Sequence, residues 1–132
     1  MLARREKTEP PVLHVVDADA SVREALCRLT DAGGLRARAY ATVEHFMADL
    51  ESAGKGCVLL DASLIGSDST IRDAMRRRQI EWPVIVISAG ADQTARRRAR
   101  AAGADFFLQK PVDAQALFDS IAPFLSARRY RR

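Results

Sequence analysis

Apolar runs recur along the chain, separated by polar segments. Residues 12–16, 57–60 and 84–87 are apolar almost without alternation, which is typical of strands covered on both faces of a parallel sheet. Residues 35–40 alternate instead and predict a half-exposed strand at a sheet edge. Residues 105–108 complete a set of five predicted strands.

Amphipathic segments lie between the predicted strands and have recognisable starts and stops. Residues that can begin a helix stand at the head of each segment, and Gly33, Gly34 and Gly103 follow two of them. Five strands alternating with five helices predict a parallel sheet with helices on both faces and right-handed crossovers. The predicted helix starts are Ser21, Thr42, Thr70, Asp92 and Asp113.

The length of 132 residues suits one domain with its own core. We divide the chain into an N-terminal arm (1–11), a folded domain (12–125) and a basic C-terminal tail or linker (126–132). Cys27 and Cys57 suggest no disulfide framework, and both are predicted to be reduced. No segment has the length of a membrane helix or a signal peptide, so we expect a cytoplasmic protein.

The net charge of +4 is weak evidence for nucleic-acid binding. Four arginines in the tail equal the excess of 21 basic over 17 acidic residues, so the rest of the chain is neutral. The fourth predicted helix also carries clustered basic residues, which we interpret as a solvated helix face rather than a nucleic-acid interface. They are Arg96, Arg97, Arg98 and Arg100.

Four predicted strands end in or near a polar side chain. These side chains are Asp17, Asp61, Ser88 and Lys110. Each alone has a simple structural explanation, as a solvated strand end, a turn residue or a surface charge. Together they would meet at the carboxyl edge of the sheet, where such folds bind ligands. Paired carboxylates are ligands for Mg²⁺, and a metal with a lysine supplies the charge that phosphoryl transfer needs.

Longer motifs around these residues resemble a known family. They are Val-Val-Asp17-Ala-Asp-Ala-Ser-Val-Arg, Val-Leu-Leu-Asp61, Val-Ile-Val-Ile-Ser88-Ala and Ala-Gly-Ala-Asp-Phe-Phe107-Leu-Gln-Lys110-Pro111. The chain resembles the receiver domains of two-component response regulators, in particular those fused to helix-turn-helix transcription outputs of the nitrogen-fixation type. The resemblance implies a flavodoxin-like (βα)5 fold with strand order 2-1-3-4-5.

The resemblance also assigns a role to each matching residue. Asp61 matches the phosphoacceptor, Asp17 a metal-binding acid, Ser88 the switch hydroxyl, Lys110 the phosphoryl-pairing lysine and Phe107 the switch aromatic. The Lys110–Pro111 bond is expected to be cis. Such a domain is a signalling module rather than an enzyme in the usual sense.

The implied partners follow from the family. They are a sensor histidine kinase, a second copy of the chain bound through the face of the fourth helix, fifth strand and fifth helix, and a DNA-binding output domain beyond Arg132. No membrane partner is expected. Phosphorylation adds nearly two negative charges and would remodel that face.

The chain departs from the family around the metal site. The second of two adjacent acids is replaced by Ala18, and Asp19 could substitute only if the loop shifts. The loop after Asp61 is also unlike the family's, although a backbone carbonyl, that of Ser63, is the expected ligand there. Losing an acid should weaken Mg²⁺ binding by at least about 10–100-fold, so Mg²⁺ is expected to bind weakly or not at all.

Two functional hypotheses therefore remain. In the first, Asp61 accepts a phosphoryl group from a histidine kinase and switches the output face. In the second, the chain is a pseudo-receiver with impaired Mg²⁺ binding, in which Lys110 pairs with Asp61 and the fold serves as an interaction or dimerisation module.

Overall fold

A computed structural model describes residues 11–50, 55–66, 70–90 and 93–125 of the protein. Its five strands form one sheet in the order β2-β1-β3-β4-β5, with every neighbouring pair parallel. This confirms the predicted flavodoxin-like α/β fold and its strand order. The strands are β1 (Val12–Val16), β2 (Arg36–Tyr40), β3 (Gly56–Asp61), β4 (Val84–Ser88) and β5 (Phe106–Gln109).

Helices follow the strands on both faces of the sheet. Core side chains from α1 and α5 cover one face, and core side chains from α2, α3 and α4 cover the other. A single 3-10 turn, Ala62–Leu64, follows β3 directly. The helices are α1 (Ala20–Ala32), α2 (Val43–Ala48), α3 (Thr70–Arg77), α4 (Gln93–Ala101) and α5 (Ala114–Leu125).

The central strands are buried and the edges are not. Every residue of β1 and β4 is buried. β2 is partly exposed, as predicted for an edge strand, but Arg38 and Ala39 are both exposed, so the predicted alternation does not hold along the whole strand. β5 forms the other edge and is also only partly covered. None of the described helices has both the length and the apolar character needed to cross a membrane.

Among the helix caps that the structure describes, Thr42 follows its prediction and Ser21 does not. Thr42 caps α2 by accepting a hydrogen bond from the His45 amide at 3.1 Å, and Gly34 after α1 adopts a φ of 84° that favours glycine. The prediction that Ser21 caps α1 is wrong. Asp19 is the cap, and its carboxylate accepts from the Ser21 amide at 2.8 Å.

Some predictions fall outside the described residues. They concern most of the N-terminal arm, the basic tail and the start of α4 at Asp92. α3 is described from Thr70 onward, and residues 67–69 before it also lie outside the described range, so the prediction for the start of this helix is not tested.

Candidate functional site

Polar side chains from four strand ends line one open cavity of about 450 Å³ at the carboxyl edge of the sheet. The crossover order places β1 and β3 side by side, with β4 and β5 following on the same side of β3. The predicted convergence of polar strand ends is therefore present. The four residues are Asp17, Asp61, Ser88 and Lys110.

Asp17 is the most deeply buried of the four, at 1% exposure. Its Oδ1 accepts a hydrogen bond from the Asp19 amide at 2.9 Å, and its Oδ2 accepts from Lys110 Nζ at 2.8 Å. The Arg23 guanidinium donates to its backbone carbonyl at 2.8 Å. A buried carboxylate needs such partners, and here they also fix the direction in which it points.

Asp61 is 7% exposed and has both carboxylate oxygens engaged. Oδ1 accepts from Lys110 Nζ at 3.2 Å, and Oδ2 accepts from the Ser63 hydroxyl at 2.5 Å. The side-chain role of Ser63 is additional to its predicted role as a backbone ligand. In the sequence, the signal for this hydrogen bond is a hydroxyl side chain two residues after an acid that ends a strand.

Lys110 links the two acids, since its ammonium group lies within 4 Å of both carboxylates. Partial burial lowers its pKa, but the hydrogen bonds to Asp17 and Asp61 and their charges outweigh burial and raise the pKa overall. The lysine is therefore a firmly charged ammonium. Its backbone amide donates to the Ser88 carbonyl at 2.8 Å. The Lys110–Pro111 bond is cis, as the family resemblance predicts.

Ser88 ends β4, and Phe107 on β5 pairs with Val86, two residues before Ser88. The Ser88 hydroxyl oxygen accepts from the Gly90 amide at 3.2 Å, which leaves its proton available for another acceptor. Phe107 is half-buried and packs against the core on the face covered by α2, α3 and α4. The guanidinium of Arg96 lies 4.7 Å from its ring centroid, so α4 contacts the predicted switch aromatic directly.

The donor set fits a weakly held magnesium ion. Ala18 lines the cavity without supplying a ligand, and the Asp19 carboxylate is used to cap α1. Within the described part of the chain, no three His, Cys, Asp or Glu side chains are grouped to hold a metal ion. Mg²⁺ commonly uses one or two protein carboxylates and keeps several waters, so Asp17 and Asp61 meet its minimum requirement.

Helix α4 forms a wall of the cavity that the strand-end reasoning missed. Thr94, Ala95 and Arg98 line the cavity from this helix. They share one helical face because positions three and four residues apart are neighbours. In the sequence, nothing distinguishes Arg98 from Arg96, Arg97 and Arg100, so only the packing of the helix identifies it as a cavity residue.

The sequence pattern of the family described as "Response regulator receiver domain" matches residues 13–122. Among curated relatives, the chain is 34% identical over 116 residues to "Transcriptional regulatory protein TdiR" of Thauera aromatica, covering 87% of this chain and 51% of that protein. It is 28% identical over 102 residues to "Transcriptional regulatory protein FixJ" of Bradyrhizobium diazoefficiens, covering 76% and 50% respectively. The chain thus spans about half the length of these relatives.

Solved structures show the same likeness. A response regulator receiver protein from Burkholderia phymatum is 34% identical, with a TM-score of 0.70 and coverage of 87% of this chain and 94% of that one. The resemblance predicted from the strand-end motifs is therefore found independently in sequence and in fold.

Proposed function

Because this chain belongs to the response regulator receiver domain family, we propose that Asp61 accepts a phosphoryl group from a sensor histidine kinase. The observation that carries the proposal is the joint approach of Lys110 Nζ to Asp61 and Asp17, at 3.2 and 2.8 Å, in an open cavity. That arrangement holds a carboxylate nucleophile beside a fixed positive charge, as phosphoryl transfer requires.

In the transfer, an oxygen of the Asp61 carboxylate attacks the phosphorus of a phosphohistidine. A new P–O bond forms as the P–N bond breaks, and the imidazole nitrogen keeps the electron pair. Lys110 balances the charge that gathers on the phosphoryl oxygens, and the Ser88 hydroxyl can donate its free proton to one of them. Mg²⁺ held by Asp17, Asp61 and the Ser63 carbonyl would reduce the repulsion between carboxylate and donor.

Movements of Ser88 and Phe107 would transmit the effect of phosphorylation from the cavity to the surface. A hydroxyl drawn toward the phosphoryl group vacates space beside β5, and Phe107 can turn into it. Arg96 stacks on that ring, so this movement would change the surface of α4 and β5. The chain spans about half the length of relatives named as transcriptional regulators, which supports an output domain that acts on DNA.

Acetyl phosphate and intact-mass measurement test this function. We expect the wild-type chain to gain one phosphoryl group in Mg²⁺, and Asp61→Asn to gain none. Ala18→Asp restores an acid to the cavity and should lower the Mg²⁺ concentration needed for half-maximal reaction by roughly 10–100-fold. Ala20→Asp, at an exposed position at the start of α1, is the matched control and should match wild type.

Absence of the adduct on the wild-type chain at every Mg²⁺ concentration, with a clear adduct on Ala18→Asp, would overturn phosphotransfer for the native sequence. That result would favour the second candidate function, a pseudo-receiver that works as an interaction module. The ion pairs of Lys110 with both acids are the specific observation behind that alternative, because they satisfy the two carboxylates without a metal.

The pseudo-receiver would act through the face of α4, β5 and α5. Phe106 on the β5 edge is the large hydrophobic side chain that remains exposed, at 38%, in the described part of the chain. Size exclusion over a range of concentrations should then show a dimer without phosphorylation, and Phe106→Ser should weaken it. Monomers at all concentrations would contradict this alternative.

A further inference from the structure

Arg98 is a further basic residue of the cavity lining, and it comes from a helix rather than from a strand end. It lines the cavity from α4, and its side chain has no hydrogen bond or ion pair to any residue the structure describes. The other basic side chains of the helix differ. Arg96 stacks on Phe107, while Arg97 and Arg100 lie outside the cavity lining.

The position of Arg98 follows from how α4 packs. Ala99 is 3% exposed and belongs to the core, as does the neighbouring core residue Ala102 after the helix. Burying that side of the helix turns Thr94, Ala95 and Arg98 toward the cavity. The same packing places Arg98, an exposed residue, on the wall of the cavity that Asp17, Asp61 and Lys110 also line.

The basic side chains of the cavity have hydrogen-bond donors with which an anion could pair. Lys110 already donates two of its three N–H groups, to Asp17 and to Asp61. A phosphoryl group brings three strong acceptor oxygens and nearly two negative charges. A guanidinium offers five donors in a planar fork that matches phosphate oxygens, so it supplies what the lysine cannot.

Ala18 makes the same cavity more favourable for an anion. An acid at this position would add negative charge to the wall and repel phosphoryl oxygens. Alanine removes that charge, so the balance between the acids and the cations of the cavity shifts toward the cations. The substitution that weakens a cation site therefore strengthens an anion site next to it.

We propose that Arg98 binds the phosphoryl oxygens of phospho-Asp61 and of the incoming phosphoryl donor. The proposal deepens and rests on the function in which Asp61 is the acceptor. Arg98 carries part of the charge neutralisation that would otherwise fall to a divalent cation. Because Arg96 and Arg98 lie on the same helix, a phosphoryl group held by Arg98 also acts on the helix that contacts Phe107.

The first test uses inorganic phosphate with EDTA present, followed by amide shifts in NMR spectra of the isotopically labelled chain. Phosphate should shift the amides of Gly90 and Ala95 in the wild-type chain. Arg98→Ala should weaken this binding by about fivefold, and Arg97→Ala should leave it unchanged. Equal phosphate affinity in all three proteins would overturn the proposal.

The second test separates this inference from the proposed function. Adduct formation with acetyl phosphate is measured by intact mass against Mg²⁺ concentration, and Arg98→Ala should need about fivefold more Mg²⁺ than wild type or Arg97→Ala. A wild-type adduct with no difference among the three proteins overturns the role of Arg98 and leaves phosphotransfer intact. Phosphate binding that depends on Arg98, with no adduct on the wild type, overturns phosphotransfer and supports the anion site.

Discussion

The Ser63 hydroxyl hydrogen-bonds to the Asp61 carboxylate, the group that we propose as the phosphoacceptor. It donates to Asp61 Oδ2 at 2.5 Å, while Lys110 occupies Oδ1. A hydrogen bond to a charged acceptor contributes about 1.5–3 kcal/mol and draws electron density away from the attacking oxygen. Both oxygens of the carboxylate therefore carry a hydrogen bond, while each keeps a further lone pair.

Replacing this hydroxyl should therefore accelerate the reaction. We expect Ser63→Ala to form the acetyl phosphate adduct roughly two- to fivefold faster than wild type, since part of the hydrogen-bond free energy is removed from the ground state. Ser21→Ala, at an exposed position on α1, is the control. Slower formation in Ser63→Ala would mean that the hydroxyl assists the incoming group instead.

His14 is a buried histidine on the sheet face opposite α1 and α5. It is 1% exposed, stacks on Trp82 at 4.8 Å, and its Nδ1 lies 3.1 Å from the Tyr40 hydroxyl. Burial, and then the charge of Arg38, lower its pKa to about 4, although Asp49 acts in the opposite direction. The histidine is thus neutral in the folded protein under ordinary conditions.

Its depressed pKa makes stability depend on pH. The unfolded chain binds a proton near pH 6.5 and the folded chain only near pH 4, so stability falls as pH drops between these values. The loss should reach about 2 kcal/mol at pH 5. Urea unfolding at pH 7.5 and pH 5 measures it, and His14→Phe should abolish most of the difference.

His45 is exposed and provides the matched control for that experiment. His45→Gln should keep the wild-type pH dependence. The same loss of stability in His14→Phe as in wild type would show that other groups produce it.

At the scale of the elements, Arg72 connects α3 by hydrogen bonds to the residues before β4 and to the turn before β5. Its guanidinium donates to the carbonyls of Trp82 and Gly103, at 3.2 and 2.5 Å. It also pairs with Asp105 Oδ2 at 3.1 Å, and the same carboxylate oxygen accepts from the Val84 amide at 2.8 Å. One side chain thus joins three separate segments.

We expect Arg72→Ala to lower the free energy of unfolding by about 2–3 kcal/mol, because two carbonyls and a carboxylate lose a charged donor. Chemical denaturation measures the change. Arg76→Ala, at an exposed position on the same helix, should change stability by less than about 0.5 kcal/mol. A similar small effect in Arg72→Ala would contradict this role.

The cap of α1 and the buried face of α4 could not be predicted from the sequence. Asp19 and Ser21 are both good capping residues, and the backbone bond from Asp19 to Asp17 Oδ1 decides between them. The rotation of α4 likewise depends on which alanines meet the core. Neither choice is a local property, so Asp19 and Arg98 could not be assigned from their neighbours in sequence.

At the scale of the whole molecule, the sheet order brings the site together. The alternation of strands and helices predicted a parallel sheet, and the polar strand ends predicted its functional edge, because parallel strands all end on one side. The exact order came from the family resemblance and is confirmed. Residues that follow strands were therefore predictable, while contributors from helix faces and short loops were not.

The proposed function depends above all on phosphorylation of the Asp61 carboxylate. Borohydride reduction of the acetyl phosphate-treated chain converts a phosphoaspartate to homoserine, and peptide sequencing by mass spectrometry then locates the modified residue. We predict homoserine at position 61, dependent on Mg²⁺ and absent from Asp61→Asn. Homoserine at position 17 instead, or at no position, would contradict it.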